Sequence, residues 1–227
     1  HTGYQWVYRS PIEGLVLFRY HKSRARKAAE EILNDFSGTL QTDGYKVYQN
    51  LQTKGEITLV GCMAHARRYF EKALDNDKRR AEHALSLFQA LYAIERKARE
   101  RTINHHVRKR NRNRFATPIL NQLEDWLTEQ INLVLPKSLI GKAIAYTLNL
   151  WDNLKRYVND GRVEIDNNMV ENTIRPLALG RKNYMFAGSH KAAQRAAMFY
   201  SFFATCKIND VEPLSWLTHV LNIIPDY

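Results

Sequence analysis

Residues 39–74 read TLQTDGYKVYQNLQTKGEITLVGCMAHARRYFEKAL, and the alternation of patterns inside them decides the fold. Thr39 to Thr42 is a short strand-like run that stops at Asp43-Gly44, a turn dipeptide. Tyr45 to Leu51 reads as a short helix. Ile57 to Met63 is a continuous apolar, β-branched run of the kind buried in a sheet, and it passes directly into the helical pattern of Ala64 to Leu74. Upstream, Tyr4 to Arg9 and Leu15 to Tyr20 are aromatic and β-branched runs joined by Ser-Pro-Ile-Glu-Gly, which predicts a hairpin. Between hairpin and strand, Ser23 is placed to cap a helix whose apolar positions are Ala25, Ala28, Ala29, Ile32, Leu33 and Phe36, and Gly38 closes it. The order is strand, strand, helix, strand, helix, strand, helix.

Downstream the period changes. From about Asp77 to Asp160 the pattern is helical throughout, with one helix marked by Leu85, Phe88, Leu91 and Tyr92, a second by Ile119, Leu123, Trp126 and Leu127, and a third by Ile144, Leu148, Trp151, Leu154 and Tyr157. After Gly161 an extended piece, Arg162 to Ile165, leads to Asp166, placed to cap a helix that runs through Leu179 and is strained by Pro176. Two more helices are expected near Lys191 to Lys207 and Pro213 to Ile223. The opening order matches an α/β, ribonuclease-H-like mixed sheet. In that fold the hairpin is strands two and three, Thr39 to Thr42 strand four and Ile57 to Met63 strand five, and the first strand lies upstream. The expected organisation is a core in two parts, 1–76 and 161–190, interrupted by a helical insertion at 77–160 and followed by a C-terminal helical segment at 191–227.

The chain has 227 residues, 44% hydrophobic and 25% charged, enough for one large or two small domains. The longest largely apolar stretch, Ala196 to Cys206, is about half the roughly 20 residues a membrane helix needs, and no charged-then-apolar leader opens the sequence, so a cytoplasmic protein with no membrane partner is expected. Cys62 and Cys206 stand far apart and support neither a disulfide framework nor a complete zinc knuckle. Net charge is +11, which favours a polyanionic partner because each neutralised phosphate releases counterions. The charge is clustered. No acid occurs between Asn172 and Asn209, where Arg175, Arg181, Lys182, Lys191, Arg195 and Lys207 lie; Arg101 to Arg114 is another such run, and Arg19 to Lys27 a third.

Asp43 ends a strand, where side chains of open α/β sheets face the site crevice, although Asp-Gly is also an ordinary turn. Glu171 lies one turn into a helix, where the macrodipole favours an acid whatever its job. Arg175 follows one turn later on the same face. Asp166 reads first as a helix cap, with an alternative role as the third metal ligand. Cys62 and His65 have C-x-x-H spacing, but two ligands cannot complete a tetrahedral zinc site, and a structural role is favoured. His105 and His106 are adjacent and point apart on a helix, so they read as part of a basic face. Arg175, Arg181, Lys182 and Asn183 are candidates for DNA backbone contact, since guanidinium forks match phosphate oxygens and Lys acts as a point charge. Tyr184 and Phe186 are candidates for stacking on an unpaired base, or else core aromatics.

The runs Thr42-Asp43-Gly44-Tyr45, Gly61-Cys62-Met63-Ala64-His65-Ala66-Arg67-Arg68 and Ile165-Asp166-Asn167-Asn168-Met169-Val170-Glu171-Asn172-Thr173-Ile174-Arg175-Pro176 resemble the transposases of the insertion-sequence-sixty-six type. So do Leu177 to Ser189 (LALGRKNYMFAGS) and the closing Asp210 to Leu217. The resemblance extends from Gly3 to Pro225. It implies a metal-dependent DNA transposase with an Asp-Asp-Glu triad, in which Asp43 matches the second acid and Glu171 the third, the first Asp belonging upstream. It also implies two Mg²⁺ or Mn²⁺ ions, hard cations suited to carboxylate oxygens, with terminal inverted repeats and target DNA as partners, other transposase copies on the DNA, and accessory element-encoded proteins. A non-catalytic DNA-binding remnant and a related metal-dependent nuclease are the alternatives.

In a ribonuclease-H-like sheet the first strand is central. The 227 residues expressed alone are therefore expected to be unstable or to aggregate, and a cooperative thermal melt of soluble monomer would contradict this.

Overall fold

The computed structural model describes residues 2–49, 51 and 56–224, and divides into two compact units: one runs through Asn34 and resumes at Asn168, the other spans Asp35–Asn167. It is a mixed α/β chain, mostly helical with small sheets. The described strands form two two-stranded ladders, one in each unit.

In the first unit, β1 (Tyr4–Ser10) pairs antiparallel with β2 (Leu15–His21), with Val7 opposite Phe18 and Arg9 opposite Val16. The turn between them closes at Gly14, whose φ of +61° suits glycine. Helix α1 (Arg26–Ile32) is shorter than the sequence pattern predicts, begins without a side-chain cap and buries Ala28 and Ala29. Three helices complete the unit: α9 (Asn168–Tyr184), α10 (His190–Ile208) and α11 (Pro213–Ile223). Val16 and Phe18 meet Leu177 of α9 and Ala197 of α10 in a small core. Pro176 does not end α9, which continues five residues past Leu179.

The outer edge of β2 is sealed by α10. Thr205 Oγ1 accepts from Val16 N (3.1 Å) and Ser201 Oγ from Phe18 N (2.8 Å), and the same hydroxyls lie 3.3 Å from the carbonyls of Val16 and Phe18. Two hydroxyls four residues apart on one helix face thus replace a neighbouring strand.

In the second unit, β3 (Gly38–Gln41) pairs parallel with β4 (Ile57–Val60). Between them α2 covers Lys46–Gln49; the rest of the expected Tyr45 to Leu51 helix includes Asn50, which lies outside the described residues. The strand expected to reach Met63 stops at Val60, and α3 (Met63–Ala73) follows. The long α4 (Lys78–Glu100) is capped by Asp77, which accepts from Arg80 N. Then come α5 (His105–Asn111), a π-helical turn Arg112–Ala116, α6 (Thr117–Gln130), α7 (Leu139–Asn149), α8 (Trp151–Lys155) and a 3-10 turn Arg156–Asn159. The third predicted helix is thus broken at Leu150. Met63, Phe70, Phe88, Leu91, Leu123, Leu127, Ile144 and Leu154 form the core.

One position in the buried stripe of α4 is not apolar. Ala81, Ala84, Phe88, Leu91, Glu95 and Ala98 recur at helical spacing, and Glu95 is as buried as its neighbours. Arg112, also fully buried, donates Nε to Glu95 Oε1 and Nη2 to Oε2, both at 2.8 Å, and its Nη1 reaches the carbonyls of Tyr157 and Asp160. Arg108 bridges Glu95 and Glu164 at 2.6 Å each. Burial acts to raise the Glu95 carboxyl, but the Arg112 hydrogen bonds and the charges of Arg112 and Arg108 outweigh it and hold it below the usual carboxylate value. Burial likewise opposes the ionised form of Glu164, and Arg108 overcomes it. The Arg101 to Arg114 cluster is therefore not wholly a surface feature: Arg108 and Arg112 point inward because buried carboxylates await them.

Replacing Arg112 by Ala strands a buried carboxylate and is expected to cost about 3–5 kcal/mol, read from the urea midpoint, with Glu95→Leu/Arg112→Met recovering most of the loss. Because both carboxyls are depressed in the folded state, their contribution is complete above the ordinary glutamate range and is lost as pH falls from that range through the lower folded-state values. The parent should lose stability in that acid window, and the double variant should lose less.

Candidate functional site

Asp43 stands just beyond β3. The ladder continues one residue past the strand, where Thr42 N donates to Val60 O (2.9 Å). Asp43 then turns the chain: its Oδ1 accepts from Tyr45 N at 3.0 Å, and Gly44 takes φ +84°. The residue is exposed, and among the described residues only Oδ1 of its carboxylate accepts a protein hydrogen bond. The turn reading of Asp-Gly is thus realised, and it leaves one carboxylate oxygen unused.

Residues far away in sequence fix this turn. Tyr146 of α7 donates its hydroxyl to Asp43 O (2.9 Å) while its ring stacks on Tyr69 of α3, centroids 4.3 Å apart. Burial holds the Tyr146 phenol well above its usual range, so it stays a donor. Gln41 Nε2 donates to Gly61 O (3.2 Å) and Glu164 O (2.7 Å), tying β3 to the segment that Arg108 holds. Met63 N donates to Ile165 O in the same region.

Cys62 is buried at the end of β4, where its Sγ accepts from Asn167 N (3.4 Å); burial pushes the thiol up, so it stays protonated. His65 Nε2 faces Arg68 Nη1 at 3.4 Å. Asp166 Oδ2 accepts from the Tyr92 hydroxyl at 2.8 Å, and α9 begins two residues beyond it, at Asn168.

In the first unit, Glu171 lies in the first turn of α9, partly buried, with Arg175 exposed one turn later. Arg9 of β1 braces that turn from below, its Nη1 lying 3.4 Å from both Met169 O and Thr173 Oγ1. Arg181, Lys182 and Asn183 are exposed at the other end of the helix, where cations also suit the dipole. Tyr184 turns toward α10, its hydroxyl 3.3 Å from that of Tyr200. Phe186 is 74% exposed and follows Met185, whose φ is +57°. Among the described residues no group of three or more His, Cys, Asp or Glu is arranged to hold a metal ion.

Sequence reasoning missed Arg9, Gln41, Tyr92 and Tyr146. None belongs to a short motif, and each acts on a partner distant in the chain.

A family model described as "Transposase IS66 family" matches residues 1–195, and a second, "IS66 C-terminal element", matches 201–227. Among curated proteins, the uncharacterized protein y4jD of Sinorhizobium fredii is 32% identical over 96% of this chain and 43% of its own length. The uncharacterized proteins y4qI and y4hP of the same organism are 33% and 30% identical, with 92% and 100% of this chain and 40% and 45% of their own lengths covered. The chain thus spans less than half the length of these relatives. No solved structure matches.

A Cβ at Gly44 would lie 2.6 Å from Leu150 Cδ1 and 3.1 Å from the Tyr146 hydroxyl, at a φ that L-residues rarely adopt. Gly44→Ala should destabilise by about 1 kcal/mol or more, whereas Tyr146→Phe, which keeps the stack, should cost about 1 kcal/mol or less. Differential scanning calorimetry of the two variants checks the order.

Proposed function

We propose, because the chain belongs to the IS66 transposase family, that it forms part of a DNA transposase that cleaves insertion-sequence ends and transfers them into a target. The observation that carries this reading is the Asp43 carboxylate: exposed, at the C-terminal end of a parallel strand, and held by its own turn with one oxygen unused. That position is where α/β sheets display ligand-binding groups.

A ribonuclease-H-like core is the fold this reading carries. An antiparallel hairpin followed by a parallel pair is the order and direction of its strands two to five. The edges support it further. Just as β2 is sealed by Ser201 and Thr205, the outer edge of β4 is engaged from its own unit, with Arg156 Nη1 donating to Leu59 O (3.0 Å) and Gly61 N donating to Asn153 O (2.9 Å). Among the described residues β1 and β3 each keep one edge that pairs with no strand.

Asp43 and Glu171 are proposed as the second and third acids of the metal site. The donors fit hard divalent cations: Asp43 offers an exposed carboxylate oxygen, and Mg²⁺ takes only one or two protein carboxylates while keeping its waters. Two such ions, when bound, would activate the attacking oxygen and stabilise the leaving oxygen of an in-line phosphodiester displacement. The chain's own part is to orient. Tyr45 N and the Tyr146 hydroxyl fix the Asp43 turn, and Arg9 fixes the helix turn that carries Glu171. Arg175, Arg181, Lys182 and Asn183 would hold DNA phosphates, with exposed Phe186 available for a base at a cleaved end. Cys62, His65 and Asp166 are given structural roles. A homo-oligomer on DNA, accessory element-encoded proteins and a cytoplasmic site of action belong to the same proposal.

In the longer protein, Asp43→Asn and Glu171→Gln are each expected to abolish Mn²⁺-dependent cleavage of an end-containing duplex while leaving its binding intact. Unchanged cleavage in either variant would place the active site elsewhere.

A further inference from the structure

The helical face formed by α3 and α4 carries a cationic groove that the candidate acids do not account for. It encloses about 490 Å³ and is lined by Arg67 and Glu71 of α3 and by Leu85, Gln89, Tyr92, Arg96 and Arg99 of α4. On α4 these positions follow spacings of four, three, four and three, so they form one stripe along the helix beside the buried one. An ordinary solvated stripe of a 23-residue helix mixes acids and bases. This one holds no acid at all, and Glu71 is the single acid among the lining residues.

Arg67 shows what the groove is shaped to hold. Its guanidinium lies over the Tyr92 ring, 5.4 Å from the centroid, and that ring is itself fixed by the hydroxyl's hydrogen bond to Asp166. A guanidinium stacked on an anchored aromatic is preorganised for planar recognition of an oxyanion. Its Nε is shielded from solvent and lies 3.4 Å from Glu71 Oε1, in ion-pair range but outside hydrogen-bond geometry, while the side chain as a whole is 42% exposed. An oxyanion can therefore approach the guanidinium from solvent and add charge-assisted hydrogen bonds to the ion pair it already makes. Arg96 is exposed with no carboxylate partner among the described residues, and Arg99, 3.3 Å from Glu164, marks the far end.

We infer that this groove binds the phosphodiester backbone of DNA, giving the helical stretch between the two candidate acids its own grip on the substrate. A phosphodiester presents two acceptor oxygens per unit, matching a stacked guanidinium fork, and its repeating charge suits cations spread along a helix. The inference rests on the transposase reading and adds a second contact surface to it.

The test measures binding of a labelled end-containing duplex to the longer protein by fluorescence anisotropy across a salt series. Arg67→Gln and Arg96→Gln should each weaken binding and reduce the slope of log affinity against log salt by about 1. Glu71→Gln should tighten binding. Arg96 is exposed and Arg96→Gln keeps the fold, so a folding defect in Arg67→Gln leaves the test intact. Wild-type binding with unchanged slopes in both arginine variants overturns the groove while sparing the transposase reading. Absence of duplex binding by the wild type overturns both. Selective loss of binding to a Glu-rich peptide, with DNA binding unchanged, assigns the groove to a protein partner and overturns the proposal.

Discussion

The buried pairing of Glu95 with Arg112 is the constraint around which the larger unit is organised. A carboxylate in the middle of the apolar stripe of α4 cannot be left alone, because removing a charge from water costs several kcal/mol per ion. Arg112 answers it with two parallel hydrogen bonds and spends its remaining donor on the carbonyls of Tyr157 and Asp160. One side chain thereby joins α4, the π-helical turn and the end of the 3-10 turn. Such a pair adds little net stability over a well-packed apolar core, but it strongly penalises any packing that separates its partners.

Arg108 extends the constraint to the loop at 160–167. It holds Glu164, whose carbonyl accepts from Gln41 at the end of β3, two residues before Asp43. Ile165 accepts from Met63, and Asp166 from Tyr92. The carboxylate proposed for chemistry is thus positioned through a network that begins more than fifty residues away. Exposed turns are usually mobile. This one is braced by Gln41 on one side and by the Tyr146 hydroxyl on the other.

The basic character of the chain is divided between two jobs. Arg108 and Arg112 are consumed internally, and Arg156 closes the edge of β4. Arg96, Arg175, Arg181 and Lys182 remain at the surface. A net charge of +11 therefore understates how unevenly the cations are deployed. Charges spent on buried carboxylates are unavailable to a polyanion, and those on the surface carry the salt dependence of binding.

The sequence by itself determined the order of the elements and the family. Period-two runs gave the hairpin, because alternate side chains of a strand face opposite sides; Asp43-Gly44 gave the turn, because glycine tolerates a φ of +84°. The long runs around Asp43 and Glu171 identified the candidate acids. Only the tertiary structure decided that the strands form two ladders, that α10 seals β2 with hydroxyls, and that two arginines of a basic run point inward. It alone set Tyr146 against Asp43, 103 residues apart, and Gln41 against Glu164, 123 apart. The physical reason is common to all of these. Periodicity and turn chemistry act between near neighbours along the chain. Which buried charge meets which partner, and which sheet edge is covered, depends on groups that become neighbours only after the helices have packed.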